Sequence, residues 1–587
     1  MIKLLKRFDV SEWVQVLISL IFIVAQVWLD LKLPDYMSEI TRYSQMPGGE
    51  MLDIWLAGGK MMLCAMGSLI SSIIVGFFGA RIAASFSRRI RSLLFAKVDS
   101  FSMEEMNRFS TDSLITRSTN DITQVQQFIT MGLQLLIKAP IMVVWALVKI
   151  SGKGFEWTVA TGVAVGVMAV VIALLMLFVM PKFRKMQVLT DNLNRVTREN
   201  LTGLRVVRAY NAEGYQEKKF ESANQELTST QLFTNRGMAV MMPMMTALMS
   251  GLSLAIYWIG AYLINGAQAM DRLTLFSNMV VFSSYAMQVI MSFMMLVMIF
   301  VMLPRASVSG KRINEVLDTQ ATILDGDKCQ GKDGLVGHVE FKNVSFKYPG
   351  ASDYVLEDVS FTAKKGETVA FIGSTGSGKS TLVSLIPRFY EVTSGEVIID
   401  GINVKEYKQE ELYNKIGYVP QKAVMFRGTV SSNVGFGDNG KHKPDQKEIE
   451  TAIKIAQGSD FVEKMDHQYE AVISQGGSNV SGGQKQRLAI ARAVCRKPEM
   501  YVFDDSFSAL DYKTDRILRS ALKKETAGVT NLIVGQRIGT IMDADQIIVL
   551  DEGKIVGKGT HKELLNTCAV YKEIAMSQLS EEELLHD

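Results

Sequence analysis

Apolar and polar positions alternate in two different ways along this chain, and the change falls near residue 320. Ahead of it lie six stretches close to or above the roughly 20 apolar residues that a spanning helix needs. They cover about 13–34, 54–84, 122–150, 157–181, 236–265 and 274–304. The first has no small-residue cleavage site, which predicts a retained helix rather than a removed leader. Its lead-in, Met1-Ile-Lys-Leu-Leu-Lys-Arg7, predicts a short amphipathic segment on the inner membrane surface. Beyond residue 320, short apolar runs separated by turns and helical patterns predict an α/β domain that ends in an acidic stretch, 579–587.

Basic residues give the helices a direction. Arg81, Arg88, Arg89, Arg91, Lys97, Arg108 and Arg117 stand between the second and third spans. Lys182, Arg184, Lys185, Arg195, Arg198, Arg205, Arg208, Lys218 and Lys219 stand between the fourth and fifth. The loops at 35–53, 151–156 and 266–273 are poor in them, so both long segments and both termini are expected to be cytoplasmic, in a plasma-membrane protein. Their helical periodicity and scarcity of Pro and Gly predict rods that continue beyond the bilayer. The chain is expected to turn back near 110–118 and 209–220, where transverse helices could touch a soluble domain.

Composition narrows the options. A net charge of +3 over 587 residues argues against a broad nucleic-acid-binding field. Cys64, Cys329, Cys495 and Cys568 lack metal-ligand spacing and are expected to be free thiols in a reducing compartment. Methionines crowd the fifth and sixth spans, among them Met241, Met242, Met245, Met249, Met291, Met294 and Met298. Such side chains suit either a surface that repacks around varied apolar ligands or the plain filling of a helix interface. Lys60 and Lys138 lie within spans: Lys60 is placed to snorkel outwards, whereas Lys138, beside Pro140, is a functional candidate.

Chemistry enters at residue 373. Phe371-Ile372 closes a strand, Gly373, Ser374, Thr375, Gly376, Ser377, Gly378 and Lys379 form a loop, and Ser380-Thr381-Leu382 opens a helix. That is the setting a phosphate-binding loop for ATP requires. Glycines let backbone N–H groups wrap the phosphates, the helix start adds positive potential, and Lys379 reaches the β and γ oxygens. Ser380 and Asp504, which ends the apolar run Tyr501-Val-Phe503, are the expected Mg²⁺ ligands.

Between these motifs stands Asn479-Val-Ser-Gly-Gly-Gln-Lys-Gln-Arg487. The order of loop, Ser-Gly-Gly-Gln and Asp-terminated strand resembles the ATP-binding cassette proteins. With six helices ahead of it, essentially the whole chain resembles a half-size ABC exporter. The resemblance is closest to the degenerate-site subunit of bacterial heterodimeric multidrug exporters. It implies a six-helix α-helical transmembrane domain of ABC exporter type over 1–320, then an α/β P-loop nucleotide-binding domain over 338–587. It also implies Tyr348 stacking on adenine, Gln421 sensing Mg²⁺, and Ser508-Ala-Leu-Asp511 linking two cassettes. The segment 209–220 resembles the second coupling helix. Ser481, Gly482, Gly483 and Gln484 would grip the γ-phosphate of a nucleotide held by a partner chain.

The departures from the family pattern carry the functional reading. Asp505 stands where the family has the glutamate that orients the attacking water, and Gln536 where it has histidine. The shorter carboxylate falls back from a target that a base must approach to about 2.6–3.2 Å. Glutamine donates a hydrogen bond but carries no charge. Ser506-Phe507 replaces the small residues common before Ser-Ala-Leu-Asp, and Val480 replaces a leucine. The expectation is therefore a chain that holds ATP and cleaves it poorly, paired with a second half-transporter that hydrolyses. The cargo would be amphiphilic or drug-like, with peptide, lipid or haem as alternatives. An ATP-gated regulatory or channel-like protein is the competing class, and a homodimer the competing assembly.

Overall fold

The computed structural model describes residues 2–45, 50–151, 154–440 and 442–579. The acidic stretch expected at 579–587 lies outside them but for Leu579. The chain divides into two compact units, Met1–Val98 with Asp112–Thr319, and Asp99–Thr111 with Gln320–Asp587.

The first unit is helical. α1 (Ile2–Leu5) precedes α2 (Val10–Gln45) and α3 (Met51–Asp99); α4 (Met103–Phe109) and α5 (Thr111–Thr116) follow. Then come α6 (Ile122–Ser151), α7 (Phe155–Thr202), α8 (Leu204–Ala209), α9 (Glu213–Gly266) and α10 (Ala269–Asp318). Among the described residues six helices, α2, α3, α6, α7, α9 and α10, include stretches long and apolar enough to cross a membrane. The 49 residues of α3 make a rod of about 74 Å at 1.5 Å per residue, more than twice a hydrocarbon core of about 30 Å. The spans read from hydropathy are thus only the apolar middles of longer helices.

Around the buried Trp157, whose Nε1 donates to the Ile256 carbonyl at 3.1 Å, gather Val27, Leu31, Phe282 and Tyr285. The methionines divide between the two readings. Met245 and Met279 are buried in this cluster, whereas Met242, Met291 and Met298 are exposed. Lys60 is exposed. Lys138 pairs with Asp30 at 3.1 Å, and Ser68 Oγ donates to the other Asp30 oxygen at 2.5 Å. An unpaired charge at membrane depth is costly, so each ion depends on the other. Lys138→Met is expected to destabilise the detergent-solubilised protein by about 3–5 kcal/mol. Lys138→Met with Asp30→Asn should recover most of that loss in the same thermal melt.

The first chain reversal sits upstream of where the sequence suggested, whereas the second turns inside the expected segment. The first is at 99–111, not 110–118: Ser102 caps α4, its side chain accepting from Glu104 N while Glu105 accepts from Ser102 N. Ser110 closes α4 at φ +57°, and α5 then runs through the π-turn Arg117–Asp121 into α6. Around the second reversal, the short helix is α8 (Leu204–Ala209); Asn211 turns the chain at φ +50° and α9 starts at Glu213, inside the expected 209–220. The short α4 belongs to the second unit. Glu105 Oε1 accepts from Thr322 N at 3.1 Å, and Asn107 Nδ2 donates to the Tyr390 hydroxyl at 3.1 Å.

The second unit is a layered α/β structure. Its strands are β1 (Val339–Phe346), β2 (Leu356–Ala363), β3 (Thr368–Gly373), β4 (Ser394–Ile399), β5 (Ile402–Asn403) and β6 (Ile416–Val419). There follow β7 (Gly428–Thr429), β8 (Val472–Ile473), β9 (Met500–Asp504), β10 (Thr530–Val534), β11 (Gln546–Asp551) and β12 (Lys554–Gly559). The helices are α11 (Lys379–Ser384), α12 (Gln409–Lys415), α13 (Val430–Val434), α14 (Gln446–Ile455) and α15 (Ser459–Val462). They continue with α16 (Gly482–Cys495), α17 (Tyr512–Glu525), α18 (Ile538–Ile541), α19 (His561–Thr567) and α20 (Ala569–Gln578).

The central sheet runs β12-β11-β3-β10-β9-β6 and is parallel except at β12; an antiparallel sheet, β2-β1-β4-β5, accompanies it. Phe341, Phe361 and Phe371 join the two sheets in one buried core. Strands buried on both faces read as continuous apolar runs, as Tyr501-Val-Phe503 and Val369-Ala-Phe-Ile372 do. Cys64, Cys495 and Cys568 are buried free thiols, and Cys329 is an exposed one.

Candidate nucleotide-binding site

Four neighbouring parallel strands, β3, β10, β9 and β6, deliver the phosphate loop, Gln536, Asp504 and Gln421 from their carboxyl ends. Open parallel sheets bind ligands at that edge, because the loops there are free to vary while the strands fix their origins. The phosphate loop follows β3, Gln536 follows β10, Asp504 ends β9, and Gln421 follows β6.

Two glycines of the loop are backbone requirements. At Gly373 a Cβ would run into the Leu550 carbonyl oxygen. Gly378, which caps α11 at φ +94°, would put one 2.7 Å from Leu356 Cδ2. Only glycine takes such a conformation without strain. Lys379 Nζ donates to the carbonyls of Gly373 (2.9 Å) and Ser374 (2.7 Å), with Ser377 Oγ at 3.4 Å. Burial lowers its pKa, with the Asp505 and Asp504 charges opposing. The ammonium is thus held against the carbonyls of its own loop. Thr375 and Gly376 are exposed at the loop tip.

Ser380 Oγ donates to Asp504 Oδ1 at 2.7 Å. These two oxygens, and the amide oxygen of Gln421 in the loop after the neighbouring strand β6, are hard donors of the kind Mg²⁺ takes, and the residues fit that ion. Asp504 is only 6% exposed, and burial raises its pKa, reinforced by the Asp505 charge and opposed by the Ser380 bond and Lys379. A carboxyl raised in the fold is stabilising below the ordinary carboxylate range, and that contribution is lost as pH climbs through its folded pKa. Asp504→Asn is therefore expected to raise the thermal midpoint of the nucleotide-free protein at pH 7. The same change should abolish the Mg²⁺-dependent part of ATP affinity, read by titrating a fluorescent ATP analogue with and without the ion.

Asp505 follows in the left-handed region at φ +46°, its N–H donating to the Val534 carbonyl at 3.2 Å. One oxygen, Oδ2, accepts from Gln536 Nε2 at 2.7 Å and from Gln421 Nε2 at 3.2 Å. Burial raises this carboxyl too, opposed by the hydrogen bonds of Gln421 and Ser508 and by the charges of Lys379 and Arg537. The three side chains thus form one neutral-donor cluster around a short carboxylate.

Tyr348 stands beside the loop, its hydroxyl 2.9 Å from Thr381 Oγ1 and its ring edge-on to Phe346 and Tyr390. Ser481-Gly482-Gly483-Gln484 forms a separate feature at the start of α16. Ser481 Oγ accepts from Gln484 N at 3.3 Å, and Gln484 Oε1 accepts from Ser481 N at 2.9 Å. Ser481 and Gly482 are exposed, and none of the hydrogen bonds among the described residues joins this motif to the chain's own phosphate loop. Val480 is buried in the core beneath.

Sequence reasoning passed over four residues that connect these parts. Glu105 was readable from the Ser102-Met-Glu-Glu105 capping pattern. Tyr390, Gln486 (Nε2 to the Pro420 carbonyl, 3.3 Å) and Gln578 have no local signal.

The profile described as ABC transporter matches residues 356–508, and that described as ABC transporter transmembrane region matches 15–315. An uncharacterized ABC transporter ATP-binding protein of Mycobacterium tuberculosis (strain ATCC 25618 / H37Rv) is 42% identical over 89% of this chain and 87% of its own. The ATP-dependent lipid A-core flippase of Pseudomonas aeruginosa is 30% identical over 89% of this chain and 85% of its own. A bacterial Atm1-family ABC exporter solved with ATP bound shares the fold, with a TM-score of 0.79 at 23% identity over 97% of this chain and 99% of that one.

Proposed function

This chain belongs to the ABC transporter family, and on that premise we propose that it is the nucleotide-holding subunit of a heterodimeric exporter. Membership carries ATP binding and ATP-driven transport, with six apolar helices for the membrane and a cassette for the nucleotide. The narrower reading rests on one observation: Asp505 Oδ2 is held by the Gln536 and Gln421 amides, with no cation from position 536. A carboxylate held this way is a poor base for water, and an amide cannot put positive charge on a γ-phosphate.

In this reading Lys379 and the loop N–H groups bind the phosphates. Ser380, Asp504 and Gln421 would hold Mg²⁺, which neutralises phosphate charge when bound. Asp505 and Gln536 keep the nucleotide in place rather than activating water. The exposed Ser481 and Gly482 face a second chain's nucleotide, where hydrolysis takes place. Closure of the cassettes would move the helices through the reversals, of which α4 reaches Tyr390 and, through its ring, Tyr348. Both termini and the cassette lie on the cytoplasmic side of the plasma membrane. The exposed methionines of α9 and α10 suit amphiphilic or drug-like cargo. Lipid is the second reading, favoured by the relative named as a lipid A-core flippase.

The purified chain alone tests this. It should retain ATP through gel filtration while turning over about 10²-fold or more below the enzymatic median of about 10 s⁻¹. Turnover near that median, with no partner present, would sink the reading.

A further inference from the structure

One side chain remote in sequence from every nucleotide motif bonds the backbone at Gln536 itself and, two residues on, at Ile538. At the end of α20, Gln578 Nε2 donates to the Gln536 carbonyl at 2.8 Å, and its Oε1 accepts from Ile538 N at 2.8 Å. A primary amide offers a donor and an acceptor side by side, and here they meet a backbone C=O and a backbone N–H two residues apart. An apolar side chain of equal length satisfies neither, and a carboxylate only the second.

Packing fixes the other end of this contact. Tyr571 and Ala575 of α20 are fully buried with Ile538 and Ile541 of α18 and with Ala370 and Ile372 of β3, the strand that feeds the phosphate loop. From Gln578 the hydrogen bonds continue without a gap. Gln536 donates to Asp505, Gln421 donates to the same oxygen, and the neighbouring Pro420 carbonyl accepts from Gln486 of α16. Helix α20 is thereby linked, one bond at a time, to the helix whose start carries Ser481.

We propose that Gln578 is a positioning residue for the nucleotide site. It sets where Gln536 stands, and through Gln536 how the Asp505 carboxylate is held, so that α20 acts as a handle on the site. The consequence for ATP retention rests on the nucleotide-holding reading above; the positioning itself does not.

The experiment uses the full chain in nanodiscs. Without nucleotide, hydrogen exchange of the 536–541 amides is compared among wild type, Gln578→Met and Gln578→Glu. Two ordinary hydrogen bonds correspond to roughly 10-fold or more in the open population, so Gln578→Met should speed exchange there by that factor. Gln578→Glu, which keeps the acceptor for Ile538 N, should fall between. Dissociation of a fluorescent ATP analogue should quicken in the same order. Unchanged exchange at 536–541 in both variants overturns the proposal. So does a rise spread evenly over 544–575, which marks general loosening of α19 and α20. If wild-type chain retains no ATP, the nucleotide-holding reading fails while the exchange data still decide the role of Gln578.

Discussion

Asp505→Glu combined with Gln536→His is expected to raise the ATP turnover of the isolated chain by about 10²-fold or more. The added methylene carries a carboxylate toward attacking water. The imidazole can share positive charge with the γ-phosphate, which the present amide cannot. Each change alone should give much less. Glutamate at 505 would still be held by Gln421 and Gln536, which now donate to the one oxygen Oδ2 at 3.2 and 2.7 Å. Histidine at 536 would still face a short base. The gain should therefore be more than additive in free energy, as groups acting as a unit behave. Steady-state ATPase of the four proteins, with ATP affinity measured in parallel, reads this directly. A double variant that binds ATP and remains as slow as wild type would remove the explanation based on these two positions.

What the chain revealed in advance follows from the kind of constraint each residue answers to. Gly373 and Gly378 were legible because close backbone approach and positive φ admit almost nothing else. Asp504 was legible because a buried parallel strand ending in a carboxylate after a phosphate loop leaves few other uses for it. The membrane helices were legible through their apolar middles alone: the flanks of α3, α7 and α9 are held by packing and ion pairs, and hydropathy does not register those. The first reversal slipped upstream because α4 is set by four polar atoms of Ser102 and Glu105 and by φ at Ser110, a capping pattern outweighed by the longer non-apolar run after it. Least legible were contacts between residues distant in sequence. That Gln421 and Gln536 meet on one oxygen of Asp505, or that Gln578 grips the segment beyond it, depends on strand order β3-β10-β9-β6, which no local pattern encodes.

On the proposed reading the exposed Ser481 motif serves a partner's nucleotide, and that gives the second large effect. Ser481→Asp keeps an excellent helix cap, since aspartate accepts from the same α16 amides as serine does. The fold of α16 and its buried face, Leu488, Ala489 and Ile490, should be undisturbed. What changes is the charge presented outward from an exposed position. A carboxylate aimed at a partner's γ-phosphate replaces a donor with repulsion, where losing a donor alone typically costs about 10² to 10³ in rate. In the Asp505→Glu, Gln536→His protein, where each copy's motif serves the other copy's nucleotide, adding Ser481→Asp should erase the gained turnover while each phosphate loop still binds ATP. Lys379→Ala should do the reverse and empty the loop itself. Equal loss of ATP binding in both variants would mean that Ser481 acts on its own chain's site. Unchanged turnover with Ser481→Asp would mean that the motif meets no phosphate at all.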